Sequence, residues 1–427
     1  MKIHFLGGAG EYGRSSFFFE GGKEGNILID FGVKRIEREG KIGEYPLISQ
    51  DIARKLDFVL LSHAHDDHSS AIPLLYKMGY TGYIYATEET IHLAKNYIRN
   101  WAKNVEAKGG ILPYEKKWIT KIRFAPIKLG ENKIKELNIL TGKTGHMLGS
   151  VWFGFTLEGK KLFYSGDICF ESILFSFDLP EEKYDIAIVD ASYGKDNKTQ
   201  KEYEDILWEK IRDVVERKGN ILFPVPAKGR GVDLLLMLNE RYEWLLEKNV
   251  KIYVEEVVLE GIKELIKNKK WLKKEGISLL EKFAPERFLV IRDIEKVMTS
   301  IQKDSPIIVI ANDAMLSGGS SPYFFNGIKN KPENCIIFTG YQAPGTLGDK
   351  VLTPWGQRKF NVKSEVINIR IKAHLNFSEL KQLLHRIDSR EVFLVHCDKP
   401  ICEETKEELN FKNSKIHCPN PGDIWSG

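Results

Sequence analysis

The sequence predicts an α/β protein in which one α/β unit is inserted into another. In the first and last parts of the chain, short apolar segments that read as buried strands end in histidine or aspartate. Between these parts, strands alternate with amphipathic helices, a pattern typical of a parallel sheet. We therefore predict three segments, 1–190, 191–360 and 361–427, of which the first and third form one unit and the second is the insertion.

The composition is that of a globular protein with enough chain for two cores. At 427 residues, the chain is long for a single hydrophobic core, which favours two domains. Hydrophobic residues make up 42% and charged residues 29%, as in ordinary soluble domains. No apolar run is long enough to cross a membrane, and glycines follow the first strand at once. Neither a membrane segment nor a secretory leader is therefore predicted.

The net charge and the cysteines bear on partners and compartment. The net charge of +4 permits an anionic polymer as substrate without requiring one. The five cysteines are scattered and odd in number, which predicts a reducing cytoplasm and no disulfide framework. Cys397 and Cys402 have a Cys-x4-Cys spacing, but no second cysteine pair accompanies them, so a zinc knuckle is not predicted.

Three histidines and two aspartates fall in one short segment, Ser62–His68, which reads Ser-His-Ala-His-Asp-Asp-His. The apolar run 58–61 before it predicts a buried strand. After it, Ser69 or Ser70 is predicted to cap a helix that has Pro73 in its first turn. The segment is therefore predicted to be a loop at the C-terminal end of a strand, held by the sheet and open to solvent.

The residue types in this loop are those of a metal site. Imidazole and carboxylate ligands together fit zinc, with manganese or iron as alternatives. His63 and His65 can share one metal, while Asp67 and His68 turn toward a second. The alternative is a polar loop with ordinary surface histidines. It is disfavoured because three of the ten histidines of the chain lie within six residues.

The N-terminal region contributes glycines and one strand-end aspartate. Gly8–Gly13 matches the dinucleotide-binding pattern Gly-x-Gly-x-x-Gly. That pattern requires a helix to follow, but residues 15–20 and 26–30 predict a strand pair. The glycines are instead predicted to let the backbone approach a ligand or a neighbouring loop closely. Asp30 ends its strand, either as a turn residue or as a support for a metal-bound histidine.

A hairpin further along the chain carries two more candidate ligands. His146 precedes the predicted strand 151–157, and Asp167 ends the partner strand. A lone histidine between glycines, or an aspartate after Ser-Gly, is usually a turn residue. After the Ser62–His68 motif, however, their appearance in this order favours metal ligands. A two-metal site needs one anionic donor between the ions, and Asp167 could bridge.

The predicted insertion begins after Asp190, which ends the buried strand 185–190. Two glycine-rich turns, Met315–Ser320 and Gly340–Gly348, each follow a predicted strand within it. Open α/β sheets bind ligands at the C-terminal ends of their strands. Both turns are therefore candidate ligand contacts.

The last part of the chain returns to strand-end histidines. A predicted strand leads to His374, Ser378 is predicted to cap the helix 379–387, and the strand 391–395 ends in His396. Two further imidazoles are thus predicted at sheet edges, as in the first part.

In this order, the strand-end residues resemble the metal motifs of metallo-β-lactamase-fold hydrolases. The insertion carries Met-Leu-Ser-Gly-Gly at 315–319 and Gly-Tyr-Gln-Ala-Pro-Gly-Thr at 340–346. With Asp190, His374 and His396 at its borders, it is similar to the β-CASP subgroup of nucleic-acid hydrolases. The resemblance implies an αββα metallo-β-lactamase sandwich with an inserted α/β (parallel-sheet) β-CASP domain.

The resemblance also implies roles for residues of this chain. The implied metal ligands are a first set, a second set and a bridge: His63, His65 and His146; Asp67, His68 and His396; and Asp167. Asp67, His374 and Asp190 are implied as catalytic residues. His374 would contact the phosphate and donate a proton to the leaving oxygen, and Asp190 would hold its ring. Phosphate contacts are implied for Arg230, Ser317, Gly318 and Gly319.

The implied function is a metal-dependent ribonuclease that hydrolyses single-stranded RNA with water activated by two zinc ions, or by manganese. The histidine at position 396 favours RNA over DNA, as in related RNA-specific enzymes. RNA is the implied partner, a homodimer is left open, and no membrane is involved. Three alternatives stay open: a nuclease that also cleaves DNA, a small-molecule metallohydrolase, and a non-catalytic RNA-processing scaffold. The metallohydrolase would not need the large insertion.

Overall fold

The computed structural model describes residues 1–38, 41–226, 229–303 and 306–427. It divides into two compact units: unit 1 combines Met1–Asn197 with Ala373–Gly427, and unit 2 is Lys198–Lys372. Both borders lie further along the chain than the predicted ones at 190 and 360. Within unit 1, the Ala373 amide donates to the Tyr193 hydroxyl at 3.0 Å, and the Phe377 amide donates to the Asp196 carbonyl at 2.9 Å. These bonds hold the two chain segments that flank unit 2 in the sequence within unit 1.

The first part of unit 1 contains eleven strands among its described residues: β1 (Lys2–Gly7), β2 (Ser16–Glu20), β3 (Ile27–Ile29), β4 (Phe58–Leu60), β5 (Ile84–Thr87), β6 (Phe124–Ile127), β7 (Gly130–Ile134), β8 (Leu137–Lys143), β9 (Val151–Leu157), β10 (Lys160–Tyr164) and β11 (Ile186–Asp190). Its helices are α1 (Gln50–Lys55), α2 (Asp66–Ser69), α3 (Ile72–Lys77) and α4 (Glu88–Ala107), with a 3-10 helix at Lys116–Lys121.

Unit 2 alternates strands and helices. Its described strands are β12 (Ile221–Pro224), β13 (Lys251–Val254), β14 (Leu289–Val290), β15 (Ile307–Ala311), β16 (Cys335–Phe338) and β17 (Glu365–Asn368). Its described helices are α5 (Gln200–Glu216), α6 (Arg230–Glu240), α7 (Tyr242–Glu247), α8 (Glu256–Lys267), α9 (Lys274–Glu281), α10 (Ile294–Lys303), α11 (Ser321–Ile328), α12 (Leu347–Val351) and α13 (Pro354–Lys359), with 3-10 turns at Lys269–Trp271 and Pro285–Arg287.

The last part of the chain completes unit 1 with α14 (Phe377–Ile387), β18 (Glu391–Val395), α15 (Lys399–Leu409), β19 (Lys415–His417) and β20 (Ile424–Ser426). Two seven-stranded sheets result, with the orders β20-β1-β2-β3-β4-β5-β6 and β19-β18-β11-β10-β9-β8-β7. Strands from both ends of the chain thus pair in each sheet, as an inserted unit 2 requires.

The two sheets of unit 1 pack face to face, with helices on their outer faces. The rings of Phe17 and Tyr164 lie 5.5 Å apart across this interface. Because strand side chains alternate between faces, Phe163 points the other way and joins a buried cluster with Leu380 and Leu384 of α14. Helix α4 contacts β5 and β6 of the first sheet. The resulting layers are the predicted αββα sandwich.

The sheet of unit 2 has the order β14-β13-β15-β12-β16-β17, and every neighbouring pair in it is parallel. Its central strands are apolar along their whole length, because parallel sheets have helices on both faces. All five residues of β15 are buried, for example. The predicted fold class, an α/β sandwich with an inserted parallel-sheet unit, is thereby confirmed. Among the described residues, no helix combines the length and apolar character that a membrane-spanning helix needs.

Both predicted helix caps are wrong. Helix α3 begins after Ala71 without a side-chain cap, and the Ser69 hydroxyl instead donates to the Ala64 carbonyl at 2.8 Å. Helix α14 begins earlier than predicted, with Asn376 as its N-cap. Asn376 and Glu379 exchange side-chain hydrogen bonds with each other's backbone amides as a capping box. The reciprocal pair outcompetes the single hydroxyl of Ser378.

The prediction of no disulfide is also wrong. Cys402 of α15 and Cys418 after β19 form a disulfide, with their Cα atoms 5.8 Å apart. The two residues are 16 positions apart, but the chain turns back after α15 so that β19 pairs with β18. The other three cysteines, Cys169, Cys335 and Cys397, are buried and take no part in a disulfide.

Candidate metal centre

The predicted ligands come from strand ends that meet at one edge of the two sheets of unit 1. Strands β10, β11 and β18 are parallel neighbours, so their C-terminal ends lie side by side. Asp167 follows β10, Asp190 is the last residue of β11, and His396 follows β18. His63 follows β4 of the facing sheet, and His146 follows β8.

A first group of four residues, His63, His65, His146 and Asp167, could hold a metal ion, since one ligand atom from each lies within 4.8 Å of the others. The Asp167 Oδ2 atom lies 3.6 Å from His63 Nε2 and 3.5 Å from His146 Nε2. His146 Nε2 is 3.0 Å from His65 Nδ1. The nitrogens of this group therefore converge on one small volume beside one carboxylate oxygen.

A second group, Asp67, His68, Asp167 and His396, meets the same distance limit. The other oxygen of Asp167, Oδ1, lies 3.2 Å from His68 Nε2 and 3.7 Å from His396 Nε2. His396 Nε2 is 3.0 Å from Asp67 Oδ2. Asp167 is thus shared by both groups and presents one oxygen to each.

The electrostatics of the two groups favour a positive charge between the rings. Burial holds the pKa of His63 well below its usual value and lowers that of His146 to about 3, so both imidazoles are neutral. His63 Nε2 is buried and has no hydrogen-bond partner among the described residues. Burial would also lower the pKa of His396, but Asp167 and Asp67 outweigh it and raise this pKa to about 9. An orphaned ring nitrogen beside carboxylates that attract positive charge is the environment of a divalent metal.

Backbone contacts shape the turn that carries Asp67 and His68. The amides of Ser15, Phe31 and Val33 donate to the carbonyls of Asp67, His68 and Asp66, respectively. A Cβ atom on Gly32 would lie 1.8 Å from the Asp67 carbonyl, so this close approach requires glycine. The Gly8–Gly13 segment was predicted to approach a ligand or a neighbouring loop closely. In the structure, the His396 amide donates to the Gly8 carbonyl at 2.7 Å.

Asp30 is fully buried beside His68, and its carboxylate accepts four hydrogen bonds. The donors are His68 Nδ1 at 2.8 Å, the Tyr164 hydroxyl at 2.6 Å, and the Ser62 amide and hydroxyl at 2.7 Å each. Of the two interpretations left open for Asp30, this geometry favours support of a ligand histidine. The carboxylate fixes the ring of His68 with Nε2 toward the second group.

The Asp30→Asn variant is expected to bind metal about 10–100-fold more weakly, as is usual when such a supporting carboxylate is lost. The asparagine amide cannot accept from four donors at once, so the His68 ring loses its fixed orientation. Zinc competition with a chelating dye measures the affinity directly. Tyr164→Phe removes one donor and keeps the carboxylate, so its loss should be smaller. Normal affinity in Asp30→Asn would contradict a supporting role.

The other ring nitrogens of His146 and His396 are also held. His146 Nδ1 lies 2.7 Å from the Ala373 carbonyl and donates to it, which leaves Nε2 to face the first group. His396 Nδ1 lies 2.7 Å from the Ser192 hydroxyl, which itself donates to Asp190 at 2.6 Å. Asp190 therefore orients His396 through Ser192.

Asp190 also binds His374 directly, with 2.7 Å between its Oδ2 and His374 Nδ1. The ring of His374 lies 5.0 Å from that of His146 and 5.4 Å from that of His396. Asp190, His374 and His396 form a third group with metal-compatible spacing. His374 thus lies at the border of the two ligand groups, with one nitrogen already bound to a carboxylate.

The predicted phosphate contacts lie in unit 2, at the C-terminal edge of its sheet. Arg230 begins α6 after β12, and residues 317–319 follow β15, which is a parallel neighbour of β12. Arg230 Nη1 donates to the Thr339 carbonyl at 3.3 Å, and a Cβ atom on Gly340 would collide with it. The side chain of Arg230 therefore lies against the backbone at the start of the Gly340–Gly348 turn.

Three supporting residues were not predicted: Ser62, Tyr164 and Ser192. Ser62 immediately precedes His63 and Ser192 lies two residues after Asp190, so adjacency to a motif was an available signal for both. Tyr164 bonds Asp30, which lies 134 positions away. The sequence offers no local signal for that contact.

The chain matches two families. Residues 9–216 match the Metallo-beta-lactamase superfamily and residues 232–351 match the Beta-Casp domain. The chain therefore belongs to the metallo-β-lactamase superfamily, as a β-CASP member, and the family predicted from the sequence is confirmed. This fold implies divalent metal binding.

Curated relatives agree with this assignment. The chain is 26% identical to the transcription termination factor FttA of Methanosarcina mazei, over 97% of this chain and 70% of that protein. It is 28% identical to an RNase J-like protein of Methanocaldococcus jannaschii, over 92% of each. A probable RNase of the same organism, MJ4, is 27% identical over 93% of each. The predicted enzyme class, a hydrolase of the ribonuclease-containing β-CASP family, is confirmed.

A solved structure shares the whole fold. The crystal structure of a protein of unknown function from Enterococcus faecalis V583 aligns with a TM-score of 0.57, over 99% of both chains, at 13% identity. At this identity the likeness concerns the fold alone.

Proposed function

We propose that this chain is a metal-dependent ribonuclease that hydrolyses phosphodiester bonds of single-stranded RNA with two zinc ions. The observation that carries the proposal is the carboxylate of Asp167, which presents one oxygen to each of two ligand groups. Two ions with a shared anionic donor suit in-line displacement at phosphorus. The names of two relatives, an RNase J-like protein and a probable RNase, agree with RNA as substrate.

Each ligand group would hold one ion. When bound, the ions would lower the pKa of a water molecule toward neutrality and polarise the phosphate oxygens. The chain itself supplies oriented ring nitrogens, fixed on their far sides by Asp30, Ala373 and Ser192. Asp67 is the half-exposed carboxylate of the second group, and we assign it the orientation of the attacking water.

His374 is the residue that delivers the proton to the leaving oxygen in this proposal. Its Nδ1 is engaged by Asp190, which leaves Nε2 as the nitrogen that can donate. Burial would raise the pKa of Asp190, but the adjacent His374 ring outweighs it and lowers the pKa. The carboxylate therefore stays ionised and can hold the His374 ring in one orientation.

The phosphate contacts of the proposal are Arg230 and residues 317–319 of unit 2. They lie on loops at the C-terminal ends of parallel strands, where α/β sheets bind ligands. A small-molecule metallohydrolase would have no use for these loops. Their presence supports a polymeric substrate.

The proposal predicts close to two ions per chain by elemental analysis after loosely bound metal is removed. It also predicts cleavage of single-stranded RNA in the presence of zinc or manganese. RNA labelled at the 5′ end, and then at the 3′ end, distinguishes internal cuts from stepwise release of mononucleotides. DNA of the same sequence tests whether the substrate must be RNA.

Three results would contradict the proposal. Active protein with almost no metal would exclude the two-ion mechanism. Hydrolysis of small esters without cleavage of RNA would favour a small-molecule enzyme. RNA binding without cleavage, by metal-loaded protein, would favour a scaffold.

A further inference from the structure

Helix α4 starts beside the metal centre and runs away from it along unit 1. The hydroxyls of Thr87 and Thr90 both donate to the Gly149 carbonyl, in the loop that carries His146. The ring of Tyr97 lies 5.7 Å from that of His65. With 20 residues, the helix extends about 30 Å, at 1.5 Å per residue. It therefore offers a surface that begins at the candidate site.

Three cations form a row on the exposed face of α4: Lys95, Arg99 and Lys103. Because they are four residues apart, they lie on one side of the helix, spaced by about 6 Å. We call these three residues the α4 stripe. The neighbouring side chains Asn96 and Asn100 are also exposed and add amide groups to the same face.

Few carboxylates in the described part of the chain lie near the α4 stripe to neutralise its positive charge. Within the described ranges, none of its three residues forms an ion pair with a carboxylate, whereas nearby Lys116 pairs with Glu106 at 2.6 Å. The surrounding segment, residues 77–128, contains ten Lys or Arg and four Glu, in a chain whose whole net charge is +4. The excess of positive charge in the protein is thus concentrated around α4.

The chemistry of this face fits phosphate better than a protein partner. Protein interfaces depend on apolar and aromatic anchors, and none of the large exposed hydrophobic side chains that the structure describes belongs to α4. Backbone contacts to nucleic acid are made by lysine, arginine and amide side chains. A row of cations without carboxylate partners among the described residues is complementary to a polyanion.

We propose that the α4 stripe binds the phosphate backbone of RNA that extends beyond the bond held at the metal centre. The inference rests on the proposed ribonuclease function. It assigns the stripe a part in the capture of long substrates, whereas bond cleavage depends on the metal centre. The stripe should therefore matter for RNA long enough to leave the site and follow the helix.

The test compares the wild type with the triple variant Lys95→Gln/Arg99→Gln/Lys103→Gln. We measure kcat/KM on single-stranded RNAs of about six and about thirty nucleotides over a range of KCl concentrations. The ratio of kcat/KM for the long RNA to kcat/KM for the short RNA is expected to fall roughly tenfold in the triple variant. Loss of three phosphate contacts should make the slope of log kcat/KM against log salt shallower by about 2 for the long RNA, at about 0.7 per contact.

Two variants serve as controls. Lys95→Arg/Arg99→Lys/Lys103→Arg keeps the charge and should retain the substrate ratio. Lys263→Gln/Lys267→Gln/Lys274→Gln removes three exposed charges from unit 2 and should also retain it. If both triple-Gln variants lower the ratio equally, net charge and not the stripe is responsible, and the proposal is wrong.

The remaining outcomes separate the two proposals. If the wild type cleaves both RNAs and the stripe variant has the same ratio and salt slope, the stripe does not bind RNA, and an acidic protein surface becomes its better partner. If the wild type cleaves neither RNA with metal bound, the ribonuclease function itself fails, and the stripe proposal fails with it.

Discussion

Asp167→Ala is expected to lose both metal ions and to reduce RNA cleavage by roughly 10⁴-fold or more, since it removes one member of a unit that acts together. Asp167 is 3% exposed, and its two oxygens lie within 3.7 Å of four ring nitrogens. Without this carboxylate, the two ligand groups lose the anion that they share. Elemental analysis and kcat on single-stranded RNA check the two parts of the prediction.

Two control variants distinguish the loss of the Asp167 charge from a general loss of folding. Asp167→Asn preserves the shape of the side chain but not its negative charge, and it should also lose metal. Asp51→Ala removes an exposed aspartate from the first turn of α1 and should retain full metal content. Circular dichroism should show a folded chain in all three variants, because Asp167 lies at a strand end outside the apolar core. Two retained ions in Asp167→Ala would show that the bridge is not needed.

The metal-ligand prediction could be made from sequence because its information is local. A strand-end position and a residue type can both be read from a few neighbouring letters, as in Ser62–His68. Because β10, β11 and β18 are parallel neighbours, their C-terminal ends meet at one sheet edge, and this brings Asp167, Asp190 and His396 together. The αββα layers were implied by the resemblance to metallo-β-lactamase-fold hydrolases, whereas the apolar strands alone predict only that the sheets are covered.

The contacts that support these residues depend on how the sheets pack, and local patterns do not encode that. Ser192 reaches His396 across 204 positions, through the pairing of β11 with β18. The disulfide between Cys402 and Cys418 depends in the same way on the return of the chain to β19. The N-cap of α14 is different, because Asn376 and Glu379 form a capping box that is visible in the sequence. The predicted cap, Ser378, is instead the second residue of the helix.

His374→Ala is expected to keep both ions and still bind RNA, but to cleave it about 10²–10⁴-fold more slowly, which is the usual contribution of a general acid. The reason is the geometry of its ring. Nδ1 is engaged by Asp190 at 2.7 Å, and each ligand group already has four members without it. The measurements are metal content, RNA affinity and single-turnover cleavage.

Asp190→Asn should show a smaller loss of cleavage rate, because the amide can still contact His374 Nδ1 with its oxygen but carries no charge. The losses in the double variant Asp190→Asn/His374→Ala should not add, since the two residues act as a pair.

Asp190 also orients His396 through Ser192. The Ser192→Ala variant separates that effect, because it should weaken metal binding without changing the contribution of His374. The third group with metal-compatible spacing, Asp190, His374 and His396, supplies the competing explanation. If His374→Ala loses an ion, His374 is a ligand, and if it cleaves RNA at the normal rate, the proton comes from another donor.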